Sequence, residues 1–219
     1  MGRKKRVVTK LVVWDFNGSL LNDLQTFYDV GVCYIFRHFG LDPPSLEEYR
    51  NGVHGNFLAF YRAHGVPQEF SADELDRLVD ESRAITPYDA ELFHDAHDTL
   101  AQIQSRGIEQ VIVSGCPQAL LNDIVEAENL RRYFSEIRGN ARDKVPVLRE
   151  LLTARGLKPN RAVGLTDTDG DVAMLAEVGI KPYVCPRGFH GPERIMAASD
   201  KYPTMEIVPD LAAFLAKLR

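Results

Sequence analysis

The sequence predicts an α/β fold in which a parallel sheet is flanked by helices and an all-helical segment is inserted after the first strand. Three observations predict it. Short apolar runs recur along the chain, helical segments that stop at a glycine alternate with them, and one long stretch holds several helical patterns without a buried strand. Alternation of strand and helix with short links is typical of a parallel sheet with right-handed crossovers.

The strands are predicted from continuous apolar runs of the kind seen in strands buried on both faces of a sheet. The clearest run is Leu11–Trp14, and similar runs lie at residues 111–113, 162–165 and, more weakly, 183–185. Glycine supplies the left-handed conformation that closes a helix. The helices predicted on this basis span residues 99–106, 145–155 and 172–178, ending before Gly107, Gly156 and Gly179.

Residues 21–91 break this alternation, because helical patterns follow one another without a convincing buried strand. Ser45 and Ser71 each stand three residues before a glutamate, a spacing that lets hydroxyl and carboxylate satisfy the first backbone amides of a helix. A further helix is expected over residues 23–39, and another is expected to close at Gly65. The predicted domains are therefore a helical cap over residues 21–91 and an α/β core over residues 1–20 and 92–219.

Composition excludes several classes of function. The chain has 219 residues, of which 45% are hydrophobic, enough to bury a substantial core. A net charge of -5 gives no basic field for nucleic acid, and no apolar run approaches the roughly 18 residues of a membrane span. Three scattered cysteines indicate reduced thiols. We expect a soluble, cytoplasmic protein with neither a nucleic-acid nor a membrane partner, and its oligomeric state stays open.

Polar residues that suit phosphate chemistry follow the predicted strands. Asp15 comes directly after the first strand, and ligands bind at the carboxyl ends of strands in open α/β sheets. Ser114 follows another strand, where its hydroxyl and the adjacent amides, including that of Gly115, form an anion site. Lys144 opens a helix and suits the neutralisation of a phosphate. Taken singly, each is also explained as a turn aspartate, a helix-capping serine or a solvated lysine.

Three carboxylates within five residues give the more discriminating signal. Asp167, Asp169 and Asp171 follow a buried strand, and carboxylates this close repel one another unless a cation or their geometry relieves them. Oxygen ligands suit Mg²⁺, which takes one or two carboxylates together with substrate phosphate. A calcium-binding loop starting at Asp167 would need glycine and glutamate where Val172 and Val178 stand.

Together these segments resemble the haloacid dehalogenase superfamily, in the branch with a helical cap after the first strand, and most of all its phosphoglycolate phosphatase-type hydrolases. The resemblance covers nearly the whole chain and implies a Rossmann-like core. Each motif alone is weak, but their order and spacing are specific. The matching motifs are residues 12–20, with an aspartate expected where Asn17 stands, then Ser114, Lys144, and the set Asp167, Asp171 and Gly179.

The resemblance implies a role for each of these residues. Asp15 would attack phosphorus and form an aspartyl-phosphate that water later hydrolyses, while Ser114 and Lys144 would hold the phosphoryl oxygens. Phosphoryl transfer asks the protein chiefly for alignment and charge neutralisation, so this set is physically sufficient. The implied Mg²⁺ ligands are the Asp15 carboxylate, the backbone carbonyl of Asn17, Asp167, and Asp171 directly or through water.

Two residues depart from the family pattern. Thr166 stands where glycine is expected, and we predict that this replacement causes a minor backbone shift before Asp167. Asn17 replaces the aspartate that protonates the leaving alcohol and activates water, and loss of such a group costs about 10²- to 10⁴-fold in rate. Three alternatives stay open: a slow phosphatase of a small phosphorylated metabolite, a hydrolase of acyl phosphates whose leaving group needs no proton, or a non-catalytic protein that binds a phosphorylated ligand or a partner.

Other chemistries of the superfamily fit less well. Cleavage of a phosphonoaldehyde requires a cap lysine, and the chain has none between Lys10 and Lys144. The dehalogenase branch works without a metal, and keeping Asp167 and Asp171 beside Asp15 without a compensating cation would be electrostatically costly. Mutase action again requires the missing acid. Substrate specificity is expected from Arg50 and from the turn between cap helices that follows it, at His54, Gly55 and Asn56, although these residues are also explained as a solvated turn.

Overall fold

A computed structural model describes residues 8–53, 57–85 and 89–218. Its strands, in chain order, are β1 (Leu11–Trp14), β2 (Leu21–Asn22), β3 (Glu91–Leu92), β4 (Glu109–Val113), β5 (Glu136–Arg138), β6 (Ala162–Thr166), β7 (Lys181–Val184) and β8 (Glu206–Ile207). In this part of the chain, six strands form one parallel sheet in the order β5-β4-β1-β6-β7-β8. The predicted α/β fold class with a parallel sheet is confirmed.

Helices cover both faces of the sheet and form the segment between β2 and β3. Those of the segment are α1 (Leu24–Phe27), α2 (Cys33–His38), α3 (Leu46–Gly52), α4 (Phe57–Ala63) and α5 (Ala72–Ile85), with a π-helical turn over Tyr28–Val32 joining the first two. Those of the core are α6 (Ala96–Ser105), α7 (Gln118–Ala127), α8 (Val145–Ala154), α9 (Asp169–Val178), α10 (Pro192–Lys201) and α11 (Leu211–Lys217).

Strand β1 lies at the centre of the sheet, which explains its wholly apolar sequence. All four of its residues are buried, and it pairs with β4 on one side and β6 on the other. Val12 and Trp14 pack in a hydrophobic cluster on one face of the sheet, while Leu11 and Val13 pack in a second cluster on the other. The alternation of side chains along a strand thus places β1 in both core layers.

The helical segment has a hydrophobic core of its own. Its buried side chains include Phe36, Tyr61, Phe70 and Leu78, and they form a cluster separate from the two that flank the sheet. The predicted capping box at Ser45 is present, since Ser45 and Glu48 exchange both side-chain-to-backbone hydrogen bonds. A separate core supports the predicted division into a cap and an α/β core, whose boundaries stay a prediction.

A short two-stranded ribbon was missed by the sequence analysis. Strands β2 and β3 pair antiparallel, with Leu21 opposite Leu92 and Asn22 opposite Glu91. They lie at the two ends of the segment predicted to be all-helical, so the chain enters and leaves it through adjacent strands. Two-residue strands carry no periodicity that a sequence pattern can register.

The remaining expectations concern cysteines and membranes. Cys33, Cys116 and Cys185 are all buried free thiols. Burial raises the pKa of Cys116 to about 12, so this thiol stays protonated at neutral pH. No helix among the described residues combines the length and apolar character that a membrane crossing requires.

Candidate active site

The sheet order brings three of the predicted site residues to one edge. Asp15 follows β1, Ser114 follows β4 and Asp167 follows β6, and these three strands are neighbours. The Asp15 backbone amide continues the ladder by donating to the carbonyl of Leu165 at 2.9 Å. Because the strands are parallel, their carboxyl ends meet at the same edge of the sheet, where open α/β folds bind ligands.

Lys144 joins two of the carboxylates at this edge. It stands at the N-terminus of α8, and its ammonium nitrogen lies 2.6 Å from Oδ1 of Asp15 and 2.5 Å from Oδ2 of Asp171. All three side chains are nearly buried, with 8% of the Lys144 side chain exposed. A buried ammonium is stable only when it is paired in this way.

Burial and neighbouring charges shift the pKa values of this group. Burial raises the pKa of Asp15 to about 6, with Lys144 opposing the rise and Asp171 adding to it. Burial alone would lower the pKa of Lys144, but Asp15 and Asp171 together raise it above its usual value. The lysine is therefore charged at neutral pH and holds Asp15 largely ionised.

Asp167 is the carboxylate whose environment is least compensated. It is fully buried, and burial, followed by the charge of Asp15, raises its pKa well above the usual value. The backbone amide of Phe189 donates to its Oδ2 at 2.5 Å, while Oδ1 has no hydrogen-bond partner among the described residues. Gly18, with a φ of +69°, and Gly188 approach so closely that an added Cβ on either would collide with Asp167.

Asn17 and Ser114 are linked by their side chains. The Ser114 hydroxyl donates to Oδ1 of Asn17 at 3.3 Å and accepts from the Cys116 backbone amide at 3.0 Å. The Asn17 amide nitrogen donates in turn to Oδ2 of Asp23 at 2.5 Å. Gly115, the other member of the predicted anion site, is exposed, and a Cβ added to it would meet only the Arg142 side chain, at 3.9 Å.

Thr166 does more than the minor backbone shift expected of it. Its hydroxyl donates to Oδ2 of Asp171 at 3.0 Å and accepts from the Thr168 amide at 3.2 Å. Glycine could make neither contact, so the threonine fixes the Asp171 carboxylate beside Lys144. The minor backbone shift stays a prediction. The hydroxyl contacts were not predicted; they arise because a β-hydroxyl at the end of a strand reaches the first turn of the following helix.

Asp169, the third carboxylate of the run, is turned away from the others. The Arg194 guanidinium donates to both of its oxygens at 3.0 Å, and His190 lies 3.2 Å from Oδ1. Despite burial, these two partners hold the pKa of Asp169 well below its usual range. Of the three clustered carboxylates, Asp167 and Asp171 therefore face the site, whereas Asp169 pairs with Arg194 and His190 outside it.

The donor set fits a divalent cation. Within the described residues, no three histidine, cysteine, aspartate or glutamate side chains are already arranged as a ligand cluster. Asp15, Asp167 and Asp171 nonetheless share this edge with one ammonium, and a buried oxygen of Asp167 lacks a partner. A buried, unpartnered carboxylate oxygen beside other carboxylates is the environment that an oxygen-liganded cation relieves.

The cap residues predicted to contact substrate divide into two groups. Arg50 lies in α3 and donates to the carbonyl of Gly188 at 3.1 Å, with longer contacts to the carbonyls of Pro186 and His190. Its donors thus bind the core loop that also supplies the Phe189 amide to Asp167. His54, Gly55 and Asn56 lie outside the described residues.

Three groups that contact the site residues were not predicted from the sequence: Asp23, the Phe189 amide and the Thr166 hydroxyl. Asp23 was assigned to a helix start, and α1 does begin directly after it. Its contact with Asn17 arises because residues 18–22 turn back on themselves. Near Phe189, the only sequence feature that suggested an unusual backbone was Gly188. Because glycines are common in loops, it did not predict the contact of the Phe189 amide with Asp167.

Similar proteins cover most of this chain. A phosphoglycolate phosphatase of Synechococcus elongatus is 23% identical over 94% of this chain and 97% of its own length. Another, of Aliivibrio fischeri, is 24% identical over 94% of each. Among solved structures, a predicted phosphatase of Clostridium acetobutylicum has a TM-score of 0.78 at 18% identity, covering 96% of this chain and 98% of that one.

A predicted phosphoglycolate phosphatase of Haemophilus somnus has a TM-score of 0.74 at 17% identity, covering 95% of this chain and 97% of its own. At such identities the structural likeness supports the fold alone. The family model of haloacid dehalogenase-like hydrolases matches residues 12–184, which include the strands that carry Asp15, Ser114 and Asp167. The chain therefore belongs to the haloacid dehalogenase-like hydrolase family.

Proposed function

We propose that this hydrolase is a Mg²⁺-dependent phosphatase that acts on a small phosphorylated metabolite through an aspartyl-phosphate on Asp15. The observation that carries the proposal is the contact of Lys144 with both Asp15 and Asp171, beside the unpartnered oxygen of Asp167. Relatives named phosphoglycolate phosphatases support phosphate monoesters as the substrate class. With its buried free thiols, the chain is expected to act in the cytoplasm.

In the proposed reaction, a carboxylate oxygen of Asp15 bonds to phosphorus and the bond from phosphorus to the leaving oxygen breaks. Lys144 neutralises charge on the carboxylate and the phosphoryl oxygens. The Ser114 hydroxyl, which donates to Oδ1 of Asn17 in the structure, would turn to donate to a phosphoryl oxygen when substrate binds. Water then hydrolyses the acyl phosphate and frees Asp15. The leaving alkoxide takes its proton from solvent water, because the Asn17 amide does not supply one, and we expect a slow reaction for this reason.

Magnesium would be held by the carboxylates of Asp15 and Asp167 and by the backbone carbonyl of Asn17, with Asp171 bound directly or through water. When bound, it would supply the positive charge that balances the carboxylates and the phosphate. The protein alone leaves this balance incomplete, because two buried carboxylates (Asp167 and Asp171) and the nearly buried Asp15 share the site with one buried ammonium.

Hydrolysis of acyl phosphates is a second candidate, favoured by Asn17. A carboxylate leaving group departs without protonation at neutral pH, so it does not need the acid that position 17 lacks. Under this alternative, acetyl phosphate is hydrolysed much faster than alkyl phosphates. A non-catalytic role is disfavoured by the retained pairing of Asp15 with Lys144.

The test is phosphate release from a panel that contains 2-phosphoglycolate, sugar phosphates and acetyl phosphate. We expect release that requires Mg²⁺, is abolished by EDTA and disappears in Asp15→Asn. Asp123→Asn, which removes an exposed carboxylate on α7, is the matched control and should retain full activity. Activity that persists in Asp15→Asn would refute the proposed function.

A further inference from the structure

Asp23 is a buried carboxylate placed behind Asn17. It is fully buried, and its two oxygens accept hydrogen bonds from Nδ2 of Asn17 at 2.5 Å and from the Gly18 backbone amide at 2.9 Å. The Asn17 amide also accepts from the Ser114 hydroxyl through Oδ1. Asp23, Asn17 and Ser114 therefore form one continuous hydrogen-bonded chain.

We propose that Asp23 is a positioning residue that fixes the orientation of the Asn17 side chain, and that positions 17 and 23 together require one amide and one carboxylate. The inference rests on the proposed function for its catalytic consequence only. It explains why an amide stands at position 17, where the family resemblance leads one to expect a carboxylate.

The donors and acceptors show why position 17 is an amide. The side chain there must donate to Asp23 on one side and accept from Ser114 on the other. An amide has both a donor and an acceptor, whereas an ionised carboxylate has acceptors only. A carboxylate at position 17 would face the oxygens of Asp23 across a buried contact without a proton between them, an arrangement that is strongly repulsive.

Exchanging the two residues would satisfy the same contacts. In the double variant Asn17→Asp/Asp23→Asn, the amide at position 23 donates to the carboxylate at position 17 and accepts from Gly18. The carboxylate at position 17 accepts from Ser114. The hydrogen bond between positions 17 and 23 is kept with donor and acceptor exchanged, and Gly18 and Ser114 donate as before. The net charge is unchanged.

The test is a double-mutant cycle read by urea unfolding without Mg²⁺. Asn17→Asp should lower the unfolding midpoint. Asp23→Asn should lower it in the native chain but raise it in the Asn17→Asp background, and this reversal of sign is the signature of the pair. The control is Asp29→Asn, because Asp29 is an exposed carboxylate on the same helical segment that accepts from the Gln25 amide. Its effect should be the same in both backgrounds.

Additive effects of the Asn17 and Asp23 substitutions would overturn the inference. Should Asn17→Asp fail to fold, a folded double variant supports the pair, and an unfolded double variant beside a folded Asp23→Asn contradicts it. These readouts need no substrate, so they stand even if the proposed phosphatase activity is refuted.

A kinetic readout separates positioning from stability alone. The double variant restores a carboxyl group at position 17, which acts as an acid when protonated and as a base when ionised, so its kcat on alkyl phosphates should rise by about 10²- to 10⁴-fold over the native chain. Its kcat on acetyl phosphate should rise less, because that substrate gains only in the attack of water on the acyl phosphate. Asp23→Asn alone should lower kcat more than it changes KM. For the double variant, equal losses of kcat on alkyl phosphates and on acetyl phosphate would contradict a positioning role.

Discussion

At the scale of single residues, the balance of charge around Asp15 decides what the site can do. Two neighbours act on it in opposite directions, since burial and Asp171 raise the pKa of Asp15 and Lys144 lowers it. A nucleophilic carboxylate must be ionised to attack. In the proposed reaction, Lys144 would therefore act before the chemical step as well as during it, because it lowers the pKa of the buried Asp15.

The Lys144→Met variant tests this dual role. Removal of the ammonium should lower kcat by about 10²- to 10³-fold, the usual loss when one donor to a developing charge is removed. It should also raise the pKa of Asp15 further, so that the acid limb of the pH-rate profile moves to higher pH. Lys201→Met, which removes an exposed lysine, is the control. An unchanged acid limb in Lys144→Met would show that the two groups are not coupled.

The sequence identified Asp15, Ser114, Lys144 and Asp167 because each follows a strand or opens a helix, and both signals are local. The structure brings these residues to one edge of the sheet, while their catalytic roles stay a prediction. Asp23 and the Phe189 amide were not predicted, because their contacts depend on how loops fold back, and residue type alone does not encode that path.

At the scale of secondary-structure elements, the predicted helix ends depend on glycines with left-handed conformations. Gly107, Gly156 and Gly179 all have positive φ angles and lie within two residues of the ends of α6, α8 and α9. Strands β1, β4 and β6 were predicted from their continuous apolar runs, and helices α6, α8 and α9 from helical patterns that end at a glycine. Strands β2, β3, β5 and β8 were not predicted, since each has only two or three residues.

Gly179→Ala tests the glycine argument. Its φ of +83° is unfavourable for a side chain, and an added Cβ would lie 3.3 Å from Pro159. We expect the free energy of unfolding to fall by about 1–2 kcal/mol. Gly170→Ala is the matched control, because Gly170 lies in the first turn of α9 with no atom within 4 Å of its added Cβ. Equal destabilisation by both variants, measured by urea unfolding, would refute the conformational explanation.

Contacts between elements also join the cap to the core. Arg50 of α3 binds the carbonyl of Gly188, Arg194 of α10 donates to the carbonyl of Val53, and Phe27 packs edge-on against Phe189 at 5.3 Å. The loop that donates the Phe189 amide to the site is thereby held by the cap. Cap placement and the geometry around Asp167 are expected to be coupled.

Arg50→Gln tests this coupling. The shorter amide loses the contacts to the core loop, so hydrogen exchange should increase both in α3 and around Phe189, and kcat/KM should fall. Arg77→Gln is the control, since Arg77 is an exposed arginine on α5 whose ion pairs stay within the cap. Increased exchange confined to α3 would show that the cap does not hold the loop.

At the scale of the whole molecule, the buried carboxylates make stability depend on pH and on Mg²⁺. Burial raises the pKa of Asp15 from 3.8 to about 6 and raises that of Asp167 well above its usual value. An acid whose pKa is raised by folding stabilises the folded state below its unfolded pKa, and this stabilisation is lost as pH rises through the folded value.

The Mg²⁺-free protein should therefore lose stability as pH rises from about 4 to beyond 6, with about 3 kcal/mol attributable to Asp15. Mg²⁺ should restore stability at pH 7.5, where the carboxylates are ionised, and have little effect at pH 4. Urea unfolding with EDTA or Mg²⁺ measures both effects, and Asp15→Asn should flatten the pH dependence. Stability at pH 7.5 that is insensitive to Mg²⁺ would argue against a cation site.

The most direct measurement of the central claim is chemical trapping of the acyl phosphate. Borohydride reduces an aspartyl-phosphate to homoserine, so the enzyme is quenched with borohydride during turnover with Mg²⁺ and substrate, and its peptides are sequenced by mass spectrometry. We expect homoserine at position 15, dependent on substrate and absent in Asp15→Asn. Unmodified Asp15 during active phosphate release, or homoserine at another carboxylate, would contradict it.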